Sequence, residues 1–410
     1  HEDILEQADE TDAVFGELYS WYLRNPEYRS RVEKLVQSAF AGKPKDIISQ
    51  SVAKALYGEV SPYSATRLER FAACAFAHFL QYGMKLTERV EYEFKPMDMG
   101  NVMHEALESF AEEVRKRGMK WTELTEQERN EIADRCLDNI VADYGNTVLK
   151  SSARNEYMIE RTRRILRRTV WALQKQLEQG EFQPEGFEVT FGGGRIDRVD
   201  IMEDQNKVYV KVIDYKTGNT SFDLVYLYHG LQLQLMIYLD GALRVEQKKY
   251  PDKEIIPAGV FYYNIKDPMI QEKIDADVEA VSAGLMKELK MNGLVQADPE
   301  LVYRMDSSLG SIPVAFNKDG NFRKNSSVAD RTQFAVLGRY VRTKIEKIRS
   351  SILEGDAEVS PYELGKKNAC TYCPYMTVCG FDRRLSGYEF RRLKNFSDEE
   401  LWKAFDREAE

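Results

Sequence analysis

The stretch from Gly194 to Gly218, GRIDRVDIMEDQNKVYVKVIDYKTG, limits most tightly what this chain can fold into. It reads as two β-strands joined by a short polar turn. Val208 to Ile213 is a valine-rich run that suits a buried or half-buried strand. Side chains alternate along a strand, so Val210, Val212, Asp214 and Lys216 share one face. A carboxylate and an ammonium therefore emerge together at the end of an apolar ribbon. If the strands pair as a hairpin, Asp197 lies beside them. Two carboxylates and a lysine converging in this way suit a hard divalent cation such as Mg²⁺. The lysine would then orient or activate a water for attack on phosphate. A surface ion pair at the mouth of a hairpin is the plainer reading of the same residues.

At 410 residues the chain has room for one large domain or two to three ordinary ones. Its apolar content of 43% and charged content of 30% describe a soluble chain able to bury a large core. No apolar run approaches the roughly 18 residues of a membrane helix. The start shows no secretory pattern either, so a cytoplasmic location is expected. Because it opens at His1 in mid-pattern, the chain is expected to be a piece of a longer polypeptide. The net charge of −9 does not by itself mark a nucleic-acid binder. Arg161, Arg163, Arg164, Arg167 and Arg168 crowd two helical turns, and Arg383, Arg384, Arg391 and Arg392 form a second group. Each group reads as a solvated face or, alternatively, as a phosphate-contacting surface.

Residues 1–60 read as helical, with an apolar stripe through Val14, Leu18, Trp21, Tyr22 and Leu23 that ends at Gly42-Lys43-Pro44. No G-x-x-x-x-G-K-[ST] phosphate loop occurs, which excludes an ATPase of that type in this piece. Ser61-Pro62-Tyr63-Ser64 opens the next unit, with Ser64 as N-cap of a helix through Leu80. A second helix opens at Gly100, buries Met103, Leu107, Phe110 and Val114, and carries His104 at the edge of that stripe. Helices continue over 120–180, where Thr125 and Glu128 look like a capping box and Cys136 like a core cysteine. Gly180 and Pro184 close this half. Period-two patterning begins at Phe187, and Gly192-Gly193-Gly194 marks a bend before the next strand. Glu188 is a weak candidate for a further acid in the site. After Lys216, one long helix is expected over Asp223–Arg244, with Leu227, Leu231, Leu235 and Leu239 on its ridge. Gln234 and Tyr238, four apart, share another face of it. A strand at 257–264, an amphipathic helix over 270–300, a mobile loop or surface hairpin at 305–328 and a helix over 329–354 capped by Gly355 complete the pattern. This order predicts a mixed α/β sheet flanked by helices.

Near the end stand Cys370, Cys373 and Cys379, in the spacing C-x2-C-x5-C. Disulfides are disfavoured in a chain with no secretion signal, so metal ligation is the better account. A fourth thiol must then come from Cys74 or Cys136. Zinc is the compositional default for four thiolates, although two C-x2-C knuckles are usual for it and only one is present.

These motifs resemble those of the PD-(D/E)XK nucleases, and among them the RecB-like branch. The resemblance rests on Gly194-Arg195-Ile196-Asp197-Arg198-Val199-Asp200, on Asp214-Tyr215-Lys216-Thr217-Gly218, and on the run from Gln234 to Tyr238 that matches Q-L-x-x-Y. Gly100 and His104 match G-x-x-x-H, and SATRLERFAACAFAHF resembles the branch's opening segment, with Ala75 where proline is usual. The motifs span residues 64–381. A remote first cysteine followed by C-x2-C-x5-C resembles the 4Fe–4S staple of the AddB type, in which Cys74, Cys370, Cys373 and Cys379 would bind the cluster.

The resemblance implies the restriction-endonuclease-like α/β fold, with a helical connector over 1–60, a nuclease domain over 61–390 and a helical tail over 391–410. It implies hydrolysis of DNA phosphodiester bonds, on the single-stranded 5′-terminated strand, in double-strand-break repair with an AddA-type partner. Asp197, Asp214, the Tyr215 carbonyl and His104 would hold Mg²⁺ or Mn²⁺. Lys216 would act on the attacking water, while Gln234 and Tyr238 hold the substrate strand. Two other readings fit: a stand-alone RecB-like Fe–S exonuclease of the CRISPR-adaptation type, and a non-catalytic DNA-binding or scaffold module with a structural metal site.

Overall fold

A computed structural model of the chain describes residues 10–39, 47–58, 63–87, 96–143, 152–192, 194–270, 277–385 and 387–409. Gly42-Lys43-Pro44, Ser61-Pro62 and Gly193 lie outside them. The chain opens with α1 (Glu10–Arg24), α2 (Pro26–Ala39), α3 (Gln50–Tyr57), α4 (Ala65–Ala73) and α5 (Ala75–His78). Three long helices follow: α6 (Pro96–Lys116), α7 (Glu126–Asp143) and α8 (Ala153–Glu178). The sheet region runs β1 (Gln183–Phe191), β2 (Gly194–Asp204), β3 (Lys207–Lys216), α9 (Leu224–Tyr228), α10 (Gln234–Lys249) and β4 (Glu254–Asn264). Next come α11 (Val278–Glu288), β5 (Asn292–Gln296), α12 (Pro299–Met305), β6 (Val328–Ala329) and α13 (Arg331–Glu354). The chain closes with β7 (Tyr362–Leu364), β8 (Lys367–Asn368), α14 (Met376–Cys379), β9 (Arg391–Arg392) and α15 (Asp398–Ala409).

Six strands form one mixed sheet in the order β1-β2-β3-β4-β5-β6. β1, β2 and β3 pair antiparallel, and β3 runs parallel to β4. A parallel pair needs a crossover, which α9 and α10 supply. Alternation along the strands divides the core in two. Ile213, Tyr215, Phe261 and Tyr263 pack with α6, α7 and α8 on one face. Val208, Val210, Val212 and Val260 pack with α4, α10 and α13 on the other. The α/β architecture expected from the sequence is the one observed. α3 precedes the expected boundary at residue 61 yet packs on α13, and α15 buries Leu401 and Phe405 against the same layer.

Several local expectations are corrected. The helix capped by Ser64 stops at Ala73, because Cys74 is extended (φ −165°, ψ 118°) and the chain restarts as α5 and a π-helical turn, Phe79–Gly83. That break swings the thiol out of the helix line. The long helix over Asp223–Arg244 is two helices, interrupted where Gly230 adopts φ +77°. Within 270–300 the described residues form α11, β5 and the start of α12. β5 runs so close to β4 that a Cβ on Gly293 would lie 1.9 Å from the Val260 carbonyl oxygen. Pro184 does not precede the sheet but sits in its edge strand, at a bulge. The 305–328 segment buries Ile312 and Val314 and bridges Phe316 to Phe322, so it packs against the body as a hairpin. Ser64, the Thr125–Glu128 capping box and Gly355 cap their helices as expected.

The β2–β3 register is fixed on the α6–α8 face by a buried charge cluster. Asp200 pairs across the strands with Lys211, whose Nζ stands 3.0 Å from the carboxylate. Arg198 donates to both Asp200 oxygens, at 2.6 and 2.9 Å. Asp200 is 0% exposed and Arg198 1%. Burial would push the Asp200 carboxyl up, but Arg198 and Lys211 outweigh it and hold it below its usual range. A slip of one residue would carry these charges into the apolar opposite face. Asp200→Ala strands two buried cations and should cost about 3–5 kcal/mol in urea unfolding. A loss below about 1 kcal/mol would show that the cluster does not hold the register.

Candidate active site and cysteine cluster

The same register lines up three acids. β1 pairs Phe187 with Arg198 and Val189 with Ile196, which sets Glu188 opposite Asp197. β2 pairs Arg198 with Ile213, so the next position sets Asp197 opposite Asp214. The row sits at the end of β3, where the strand leaves the core.

The Asp197 carboxylate accepts the Tyr215 backbone N–H at 2.7 Å. His104 arrives from α6, with Nδ1 at 3.4 Å from Asp197 and 3.8 Å from Glu188. Ligand atoms of His104, Glu188 and Asp197 all lie within 4.8 Å of one another, a spacing that a metal ion could bridge. Burial alone would hold the His104 imidazole down, but the two acids outweigh it and push it up to about 10. Glu188 reaches this point from a backbone at φ +48°, and Arg195 lies against its outer oxygen at 2.5 Å.

Asp214 is 1% exposed. Its carboxyl is pushed up to about 7 by burial and by the neighbouring Asp197, although Lys216 opposes the rise. Lys216 stands 2.5 Å from Asp214 and donates to Gln234 Oε1 at 2.8 Å. Gln234 Nε2 donates to Asp214 at 2.9 Å and to the Tyr238 hydroxyl at 2.9 Å. The helix break at Gly230 is what starts α10 at Gln234, directly over the end of β3. His104, Asp197, Asp214, Lys216, Gln234 and Tyr238 are therefore brought together, as the sequence reading expects. Tyr215 joins them through its N–H, while its ring packs on the α6 side, 6.1 Å from the His104 ring.

Glu188 is the site residue that the sequence marks most weakly. The signal that singles it out is hairpin symmetry: Phe191 pairs with Gly194, so Glu188 and Asp197 stand equally far from the bend. The arginine runs are mostly ion-paired. Arg163 and Arg167 meet Asp134, Arg164 meets Asp267, and Arg384 meets Asp382.

The cysteine expected from far upstream also arrives. Cys74, Cys370, Cys373 and Cys379 line one small apolar pocket with Phe76, Tyr375 and Phe381. Burial pushes the Cys370 thiol up to about 12, and crowding by Cys74, Cys373 and Cys379 adds to the rise. Burial also raises Cys74, against backbone N–H groups of Ala77, Ser360 and Phe76 that favour its thiolate. Cys136 is buried in the α7 core, away from the pocket.

Comparison with known proteins agrees with this geometry. Residues 62–380 match the PD-(D/E)XK nuclease superfamily. The chain is 41% identical to an AddB-type protein of Lachnoclostridium phytofermentans, named as a subunit of an ATP-dependent helicase/deoxyribonuclease, over 99% of this chain and 37% of that protein. Subunits of the same name from Thermoanaerobacter sp. and Clostridium acetobutylicum are 34% and 33% identical, each over 98% of this chain and 37% of the relative. The chain thus spans little more than a third of the length of the relatives it matches, and its resemblance to AddB-type subunits runs along nearly all of it. No helix among the described residues is long and apolar enough to cross a membrane. By the match over residues 62–380, the chain belongs to the PD-(D/E)XK nuclease superfamily.

Proposed function

We propose that this chain is the nuclease part of an AddB-type subunit and hydrolyses DNA phosphodiester bonds with a divalent cation, Mg²⁺ or Mn²⁺. The observation that carries this reading is the convergence of His104, Glu188 and Asp197 beside the Asp214–Lys216–Gln234 network. His104, Glu188, Asp197, Asp214 and the Tyr215 carbonyl would hold the ion. Bound there, it would polarise the scissile phosphate and lower the pKa of the attacking water. Lys216 lies between Asp214 and Gln234, where its side chain can orient that water and offset charge developing on the phosphate. Gln234 and Tyr238 form the adjoining polar wall, suited to hydrogen bonds with the substrate strand. In this reading the chain works on single-stranded 5′-terminated DNA, in the cytoplasm, during double-strand-break repair. The relatives are named as subunits, which supports an AddA-type partner.

We further propose that Cys74, Cys370, Cys373 and Cys379 hold a 4Fe–4S cluster. Four half-buried cysteines line one pocket, and the pocket draws its residues from both ends of the fold. Structural zinc sites commonly use two C-x2-C knuckles, and this chain has only Cys370–Cys373, which favours a cluster over a single zinc. The cluster would tie α4 and α5 to the C-terminal segment and add its binding energy to folding.

The test is digestion of end-labelled single-stranded DNA by the chain, with Mg²⁺ and with EDTA. Asp214→Ala and Lys216→Ala should each lower cleavage by about a hundredfold or more without unfolding the protein. Retained cutting in both would refute the site. Glu188→Gln should weaken Mn²⁺ binding by about tenfold to a hundredfold. Because burial and Asp197 push Asp214 up to about 7, and the neighbouring acids push His104 up to about 10, a metal ion bound there would displace protons. Thermal stabilisation by Mn²⁺ should therefore be smaller at about pH 6 than at about pH 8. Cys373→Ser should lose iron and stability together; an iron-free variant that melts like the parent would count against the cluster.

A further inference from the structure

Glu69 lies outside the row of acids, on α4, and the proposed hydrolysis gives it no task. It is half-buried beneath the site, with its carboxylate turned toward the start of α10. One oxygen, Oε1, accepts the backbone N–H of Leu233 at 2.7 Å and that of Gln234 at 3.0 Å. α10 has no side-chain cap of its own, since the residue before it is Leu233. The first N–H groups of a helix have no partner within it, and a carboxylate there also meets the positive end of the helix dipole. Glu69 thus does from another helix what a capping Asp or Ser would do locally.

We propose that Glu69 is a positioning residue for phosphodiester hydrolysis: by clamping the first turn of α10 it sets the Gln234 side chain between Lys216 and Asp214. The inference rests on the reading of this site as a nuclease centre. Gln234 is the only described side chain that hydrogen-bonds Lys216, Asp214 and Tyr238 together. It sits at the first position of a helix that follows an interrupted segment, so its placement is not dictated by a continuous helix from Leu224. The clamp crosses from α4 to α10 and bonds the backbone of Gln234 itself. Burial pushes the Glu69 carboxyl up to about 7 despite those two N–H donors. A glutamine offers the same accepting oxygen without the charge, which separates clamping from electrostatics.

Two measurements on the full chain test this. Amide hydrogen exchange at Leu233 and Gln234 should accelerate at least about tenfold in Glu69→Ala and stay near the parent in Glu69→Gln. In the cleavage assay, Glu69→Ala should lower kcat by about tenfold to a hundredfold, and Glu69→Gln should restore most of it with an unchanged pH profile. The double variant Glu69→Ala/Gln234→Ala should cut no more slowly than Gln234→Ala alone, because the two residues act as one unit. Independent, multiplying losses would overturn the proposal, as would a Glu69→Gln variant as slow as Glu69→Ala. If the parent chain does not cut at all, the nuclease reading fails, while the exchange data still decide whether Glu69 holds the helix.

Discussion

The buried Asp200 carboxylate, shared by Arg198 and Lys211, is the constraint on which the rest of the molecule depends. Arg198 from its own strand and Lys211 from β3 together offset its desolvation cost, and Lys211 reaches it only in one β2–β3 register. That register places Asp197 against Asp214 on the opposite face, and the β1 register adds Glu188. One face of the hairpin is thus a charge lock inside an apolar layer, while the other is a row of acids at its rim. Alternation along the strand converts the first into the second.

The acid row is electrostatically unfavourable by itself. Asp214 is pushed up to about 7 beside Asp197, and His104 is pushed up to about 10 between its acids. Carboxylates that repel one another in a poorly solvated place are what a dication would relieve. Lys216 relieves part of it, but Gln234 draws its ammonium toward the helix side. The site therefore has two halves: an acid and imidazole half from β1, β2 and α6, and a lysine and amide half from β3 and α10. The cysteine pocket lies apart from both and joins α4 and α5 to the C-terminal segment, so its proposed role is to hold elements rather than to react.

What can be read from the chain is what is local or periodic. Asp197, Asp214 and Lys216 stand out because short-range alternation puts them at strand ends, and Gln234 and Tyr238 because they are four apart. Serine, threonine and glycine caps are legible for the same reason. What local pattern leaves open depends on distant contacts. Spacing does not choose between Cys74 and Cys136; the family resemblance points to Cys74, which leaves its helix to face thiols from the far end of the chain. Gly230 interrupts a leucine-rich helical pattern so that α10 can begin over β3. β5 is short, and only its approach to β4 gives Gly293 a meaning. Glu188 is hidden by its left-handed backbone inside an edge strand, although the symmetry of the hairpin marks its position. Its neighbour across the sheet, not its own sequence context, makes it part of the site.

If acids from three adjacent strands form the proposed single cation site, isothermal titration of the full chain with Mn²⁺ should show one ion per chain in the parent. Binding should weaken markedly in Asp197→Asn, Asp214→Asn and Glu188→Gln, with circular dichroism unchanged. Parent-like binding in all three variants would contradict it, because the acids would then be neighbours in the sheet without being partners around an ion.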